Sequence, residues 1–218
     1  MKTNDVLERL ARNVEPVTPL PRPWFRVAIW LLGAVMYFGL MALMMTPATR
    51  LAANAAGRGF LLLQAAAIIA SVTAAGAAFV SVVPGLSSRV LFWPLATVGV
   101  WLGSLVPGTL QEWNSGAVSF VSQPEWPCVT LIVLGSLVPL LAMTRMLRRG
   151  APLTPRTTLA LAALAPAGLA NVVACVSNPH ASRAVMLFWH GSTVLMLMAV
   201  AAGLGTSMLT WASRHRVG

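Results

Sequence analysis

Long stretches of apolar residues alternate with short polar breaks along this 218-residue chain. A helix that crosses the ~30 Å hydrocarbon core of a bilayer needs about 20 such residues. Breaks such as Pro84-Gly85 and the segment 148–152 combine proline, glycine or charge, which end helices. The pattern therefore predicts an all-α bundle of six membrane-spanning helices. The predicted spans are Val27–Met45, Phe60–Val83, Val90–Leu110, Cys128–Leu147, Leu159–Val176 and Met186–Trp211.

The composition supports this class of protein. Hydrophobic residues make up 57% of the chain and charged residues only 9%. A soluble domain usually carries about a quarter charged residues, so a single soluble domain is excluded. We expect an integral membrane protein that uses the lipid bilayer as its solvent.

The basic residues predict how the chain lies across the membrane. Alternate loops and tails would place twelve of the fifteen Lys and Arg residues on one side, leaving Arg50, Arg58 and Arg183 on the other. By the positive-inside rule, both termini are expected in the cytoplasm. The net charge of +10 then reflects contact with the inner membrane surface. Direct binding to nucleic acid is not expected.

Three segments follow from this topology: a cytoplasmic segment 1–25, a transmembrane domain 26–211 and a short basic tail 212–218. Segment 1–25 does not have the pattern of a cleaved signal peptide, and we expect it to stay attached. Its second half is a proline-spaced linker that cannot be helical. Its first half predicts a short helix with one apolar face, formed by Val6, Leu7, Leu10 and Val14. That face could lie on the membrane surface or dock into a cytoplasmic partner.

Several short motifs occur in an order that resembles one known family. They include Trp126-Pro127-Cys128, the run from Arg148-Arg149-Gly150 to Pro155, Cys175, and Phe188-Trp189-His190, after the tail pattern from Val6 to Leu20. In this order they are similar to the NrsF-type membrane proteins. These are six-helix anti-sigma factors that hold an extracytoplasmic-function sigma factor inactive at the bacterial inner membrane.

The resemblance implies a role for two parts of the chain. It implies that the cytoplasmic tail holds the sigma factor, with Val6, Leu7, Leu10 and Val14 as candidate docking residues. It also implies that a pair of cysteines senses heavy-metal or oxidative stress. A regulator of this kind is not an enzyme and needs no permanent cofactor. Its oligomeric state does not follow from the sequence.

The chain has only two cysteines, Cys128 and Cys175. One begins the fourth predicted span and the other ends the fifth, so both are expected at the outer end of the bundle. They could form a structural disulfide, or pack separately as small hydrophobic residues. They could also bind a soft metal ion such as copper, zinc or cadmium, with His190 and His180 as further ligands.

Other candidate residues have simpler interpretations. His190 could be an interfacial histidine hydrogen-bonded to Ser192, Thr193 or a backbone carbonyl. Glu112 and Glu125, each beside a tryptophan, suggest an aromatic belt that holds the longest outer loop at the membrane surface. Small residues, including Ala74–Ala78 and the pair Gly99 and Gly103, are expected where helices approach closely.

A different class of function stays open. A small-solute or metal-efflux carrier could use a path lined by sulfur and amide groups. Thiol oxidases, haem proteins and typical transporters are disfavoured, because the chain lacks the second cysteine pair, the facing intramembrane histidines and the charged mid-membrane residues that they use.

Overall fold

The computed structural model describes residues 21–47, 58–83, 88–116, 126–150, 153–178 and 182–209. The regular structure of these residues is helical throughout, with six long helices and a 3-10 turn at Ser88–Leu91. The helices are α1 (Pro23–Met45), α2 (Arg58–Val80), α3 (Phe92–Asn114), α4 (Trp126–Leu147), α5 (Pro155–Ser177) and α6 (Arg183–Leu209). Each lies over one predicted apolar run, with bounds that differ by a few residues.

Five of these helices, α1, α2, α4, α5 and α6, are long and apolar enough to cross a membrane. This confirms a helical membrane protein. Helix α3 is 23 residues long, but residues such as Trp93, Trp101 and Pro107 interrupt its apolar sequence. A sixth span, and the side of the membrane on which the termini lie, stay predictions.

Helix α5 is the centre of the bundle. In its most apolar window 78% of residues are buried, against 22% for α1, which presents most of its surface outward. Helices α1, α2, α4 and α6 all pack against it. Its sequence explains this position, because small side chains let neighbouring helices approach closely. Its fully buried alanines are Ala162, Ala165, Ala167 and Ala170.

Two arginines join helix ends on one side of the bundle. Arg26, in the first turn of α1, donates to the Met146 carbonyl near the end of α4, and its guanidinium lies 5.1 Å from the Phe79 ring centroid. Arg148 Nε donates to the Met208 carbonyl of α6 over 2.8 Å. We call this side the basic end; the arginines at this end include Arg22, Arg26, Arg145, Arg148, Arg149 and Arg156. Because α1 begins here and α6 ends here, both ends of the described bundle lie on the same side.

The other side of the bundle, which we call the cysteine end, contains Cys128 and Cys175. Hydrogen bonds join the ends of helices there. The Thr46 hydroxyl, just after α1, donates to the Ser177 hydroxyl in the last turn of α5 over 3.1 Å. The Glu112 carboxylate of α3 accepts the backbone N–H groups of Arg183 and Ala184 at the start of α6, at 2.8 and 3.0 Å.

The prediction for small residues is confirmed in one place and wrong in another. Ala74, Ala75, Ala77 and Ala78 are at most 2% exposed and pack in the main apolar core. The pair Gly99 and Gly103 does not serve close packing within the described chain, because a Cβ atom added at either position would meet nothing within 4 Å. That face of α3 points away from the described neighbours.

Candidate functional site

Three polar side chains meet inside the cysteine end. Asn171 and Cys175 lie one turn apart on α5, and His190 comes from α6. His190 Nδ1 lies 2.8 Å from Asn171 Oδ1, while Cys175 Sγ lies 3.8 Å from both of these atoms. Asn171 and Cys175 are each 2% exposed and His190 is fully buried. The fold has therefore assembled a compact sulfur, nitrogen and oxygen cluster away from bulk solvent.

A π-helical turn brings His190 into this cluster. Helix α6 starts with an ordinary N-cap, where Ser182 Oγ accepts the Val185 N–H over 3.1 Å. It then widens into a π-turn over Met186–His190, closed by a bond from the Gly191 N–H to the Met186 carbonyl. Such turns are rare and often occur at functional sites, because the inserted residue redirects side chains. Here the residues that turn inward are Met186 and His190, and both are buried.

The hydrogen bonds of Asn171 determine which ring nitrogen of His190 carries the proton. Asn171 Oδ1 accepts from the His190 Nδ1–H group and from the Cys175 thiol. This assignment leaves a lone pair on His190 Nε2, for which the described residues offer no hydrogen-bond partner. One interpretation of the sequence paired His190 with Ser192, Thr193 or a backbone carbonyl; the structure pairs it with Asn171 instead, and both of those hydroxyls donate to the Trp189 carbonyl.

A second buried polar group lies in the same region. Gln64 on α2 is only 6% exposed, and neither of its amide atoms has a partner among the described residues. Its neighbours Leu63 and Ala67 belong to the apolar cluster that also contains Cys175 and Met186. Buried polar atoms are usually hydrogen-bonded, so unpartnered atoms of two side chains mark this region as unusual.

The geometry does not suit nucleophilic catalysis. In a cysteine–histidine–asparagine site, one imidazole nitrogen takes the thiol proton while the other is held by the amide. Here the thiol and the amide both approach Nδ1, and the three side chains are closed off from substrate. The cluster instead forms a closed hydrogen-bonded group in which Asn171 Oδ1 faces both Nδ1 of His190 and Sγ of Cys175.

Cys128 lies in a different setting, in the first turn of α4. The Asn178 Nδ2 group donates to its Sγ atom over 4.0 Å, and its side chain is 7% exposed. Beside it a groove of about 880 Å³ runs between α1, α4 and α5, with Met41, Met45 and Trp126 among its lining residues. Both cysteines are thiols in this structure.

The structure describes only some of the remaining residues that were predicted from the sequence. Those outside the described residues are Val6, Leu7, Leu10, Val14, His180 and Glu125. Over the residues that are described, no three His, Cys, Asp or Glu side chains group together as metal ligands. Glu112 is only partly an interface residue, since its carboxylate caps the start of α6, whereas the adjacent Trp113 is 62% exposed.

Asn171 and Gln64 were missed by the sequence reasoning. Each is a single amide in a long apolar run, and neither belongs to a recognisable motif. Their position within predicted membrane spans could have identified them, because polar residues are energetically costly there and usually have a specific role.

Together these features define a class: a polytopic helical membrane protein whose polar groups concentrate at a basic end and in one buried cluster. A family comparison goes further. The chain belongs to the NrsF family, described as negative regulator of sigma F, whose model matches residues 10–211. This confirms the resemblance noted in the sequence and makes a sigma factor the expected partner. Comparisons with curated proteins and with solved structures return no match.

Proposed function

We propose that this protein is an anti-sigma factor of the bacterial inner membrane, which sequesters an extracytoplasmic-function sigma factor. The observation that carries the proposal is the family match, which extends over residues 10–211 and so includes part of the tail and nearly the whole bundle. A sigma factor held at the membrane cannot join RNA polymerase. Release of the sigma factor then activates transcription.

The proposed docking element is the apolar face of the tail, formed by Val6, Leu7, Leu10 and Val14. Support comes from the fold, because the first residues of α1 lie at the basic end, where Arg26 donates to the Met146 carbonyl near the end of α4. The positive-inside rule assigns such an end to the cytoplasm, where sigma factors are found. A tail helix this short is marginal alone in water, so it folds against its partner.

The proposed signal is a heavy-metal ion or an oxidant that acts on Cys128 and Cys175. For the signal to release the sigma factor, it must bind one conformation of the bundle better than another. Helix α5 connects the two ends, since it begins beside the basic end and carries Cys175 two residues before its last residue. Displacement of its outer end would therefore change the packing of every helix that contacts it.

The partner is tested by purifying the full-length protein from native membranes and identifying what it retains. We expect a sigma factor with the wild type and its loss with Leu7→Asp plus Leu10→Asp, because the charges disrupt the apolar face. Arg12→Gln, on the polar face, is the matched control and should retain the partner. Equal recovery from the double variant would place the docking site elsewhere.

The signal is tested with the same preparation. Cadmium or a thiol oxidant should release the sigma factor from the wild type, while Cys128→Ser and Cys175→Ser retain it under the same treatment. Release from both variants would refute a cysteine sensor. Absence of any sigma factor, together with metal uptake by vesicles that contain the protein, would favour a carrier.

A further inference from the structure

We propose that an anionic phospholipid binds between α1 and α4 at the basic end. One acyl chain would lie in a groove between the two helices, and the phosphate would lie among the arginines at the end of that groove. The groove, which we call the α1–α4 groove, has a volume of about 260 Å³. Its lining residues include Ile29, Gly33, Tyr37, Val138, Ala142 and Met146. This inference goes beyond sigma-factor binding and does not depend on it.

The α1–α4 groove lies where lipid acyl chains meet the protein. Both of its walls are helices that are long and apolar enough to cross a membrane. From Ile29 to Tyr37 the groove follows α1 for about 12 Å, at a rise of about 1.5 Å per residue. The walls open outward, since Ile29 is 49% exposed and Val138 is 56% exposed. Between the walls, Trp30 Nε1 donates to the Pro139 carbonyl over 3.0 Å, which joins the two helices.

Arginines stand at the end of the groove nearest the helix termini. On α1, Arg26 precedes Trp30 by one turn and so lies on the same face of the helix. On α4, Arg145 follows Ala142 by three residues, and Arg149 comes about one turn later, just after the helix. Arg145 and Arg149 are both exposed. Helical spacing therefore places positive charge directly beyond the apolar groove on both walls.

Exposed aromatic side chains place this end at the depth of lipid headgroups. Trp24 and Phe25, in the first turn of α1, are 71% and 60% exposed. Aromatic residues are enriched at the boundary between hydrocarbon and water. A lipid whose acyl chain lies in the groove would therefore have its phosphate at the level of the arginines.

The positive charges at this end have no carboxylate to balance them among the described residues. The only acidic side chain that the structure describes is Glu112, at the cysteine end. Arg26 is 5% exposed, and Arg149 lies near enough for its charge to repel that of Arg26. The Met146 carbonyl accepts a hydrogen bond from Arg26 but carries no net charge. A buried charge is costly unless an opposite charge compensates it, so a phosphate would stabilise this arrangement.

The groove and the charges together define the chemistry of the occupant. Guanidinium groups bind phosphate through pairs of parallel N–H groups, and the apolar groove suits an acyl chain. A water-soluble acidic partner could reach the arginines but not a groove at the depth of the hydrocarbon. Basic pockets between membrane helices are typical binding sites for anionic lipid headgroups.

The test is native mass spectrometry of the purified full-length protein, titrated with phosphatidylglycerol or with phosphatidylcholine that has the same acyl chains. We expect one tightly bound phosphatidylglycerol and at least tenfold weaker binding of the uncharged lipid. Arg145→Gln plus Arg149→Gln should weaken phosphatidylglycerol binding by about tenfold or more. Arg156→Gln is the matched control, because Arg156 is exposed at the same end but lies beside Gly205 of α6. It should leave the affinity unchanged within about twofold.

A second pair of variants tests the groove rather than the charges. An added Cβ atom would meet nothing within 4 Å at Gly33 or at Gly39, and both glycines are on exposed parts of α1. Gly33 lines the α1–α4 groove, whereas Gly39 is not among its lining residues. Gly33→Leu should therefore fill the groove and weaken phosphatidylglycerol binding, while Gly39→Leu should bind as the wild type does.

Competition with glycerol phosphate separates a lipid site from a site for free phosphate, and it needs no variant. This compound carries a phosphate without acyl chains and should not displace the lipid. Displacement by glycerol phosphate, or equal binding of the two lipids, would overturn the proposal. Phosphatidylglycerol binding that neither the arginine pair nor Gly33→Leu weakens would also overturn it, and would leave the arginines to acidic side chains of the tail or of the sigma factor.

Discussion

Glu112 shows how much one side chain contributes at the cysteine end. It follows the predicted span 90–110 and its carboxylate holds the start of α6 through two backbone N–H groups. Burial by itself raises the pKa of Glu112. The hydrogen bonds from Ala184, Arg183 and Ser182, together with the Arg183 charge, outweigh this effect, so the pKa lies below its ordinary value.

This contact predicts a pH dependence of stability. A lowered pKa in the folded state means that Glu112 stabilises the protein above its unfolded pKa of about 4.3. The contribution is lost as the pH falls through the lower folded value. We expect the difference in thermal stability between wild type and Glu112→Gln to be constant near neutral pH and to shrink below about pH 4.

Thermal unfolding in detergent, measured at a series of pH values, provides the check. The comparison with the variant isolates Glu112, because the other four acidic residues are common to both proteins. A difference that stays constant down to the lowest pH would show that the carboxylate does not hold α6.

At the same scale, the sequence predicted two members of the buried cluster but not the other groups. Cysteine and histidine are rare here and carry recognisable chemistry, so Cys175 and His190 could be selected directly. Asn171 lies among alanines and valines with no motif around it. Its role arises from the packing of α6 onto α5, which a linear pattern does not describe. The contribution of Cys128 and His180 to metal binding stays a prediction.

At the scale of elements, the packing of α6 against the start of α5 depends on one glycine. A Cβ atom added at Gly205 would lie 2.6 Å from the Pro155 carbonyl oxygen and 2.7 Å from Arg156 Cα. Both neighbours are backbone atoms, which cannot rotate away as a side chain can. At Gly203, two residues earlier, an added Cβ would meet nothing within 4 Å.

These two glycines therefore give a matched pair of variants. Gly205→Ala should destabilise the protein by about 1–3 kcal/mol, because it overpacks a close helix contact. Gly203→Ala should be neutral or stabilise the helix by at most about 1 kcal/mol. Thermal unfolding in detergent measures both. Equal stability of the two variants would show that α6 does not approach α5 this closely.

The long helices could be predicted because each needs only a sustained apolar run, and a run of that length has few alternatives in a membrane. The π-turn at Met186–His190 could not, since it depends on where α6 meets α5 and α3 rather than on local preference. Gly99 and Gly103 illustrate the opposite error. Their spacing is typical of a packing face, yet whether a partner lies opposite is a property of the whole bundle.

At the scale of the whole molecule, the helices alternate in direction, so the start of α1 and the end of α6 share the basic end. If all six helices cross the membrane, both termini lie on the same side, which the positive-inside rule predicts to be the cytoplasm. We expect green fluorescent protein fused to either terminus to fluoresce. Alkaline phosphatase inserted within residues 117–125, between α3 and α4, should be active because that loop is expected outside.

The insertion between α4 and α5, after Gly150, is the control and should give inactive phosphatase. Active phosphatase there, or inactive phosphatase within residues 117–125, would contradict the predicted topology. An odd number of spans would appear as termini that report opposite sides.

The central position of α5 also has a consequence for biosynthesis. Membrane helices insert first and associate afterwards. Helix α5 is the fifth helix to leave the ribosome. Helices α1, α2 and α4 therefore enter the bilayer before α5, the helix against which they pack, has been synthesised. Before α5 is inserted, Ser71 of α2 cannot pack against Gly168 of α5. The hydrogen bond from the Thr46 hydroxyl to the Ser177 hydroxyl cannot form either. Assembly of the bundle is therefore a late event, and a chain interrupted before residue 155 would be inserted without being folded.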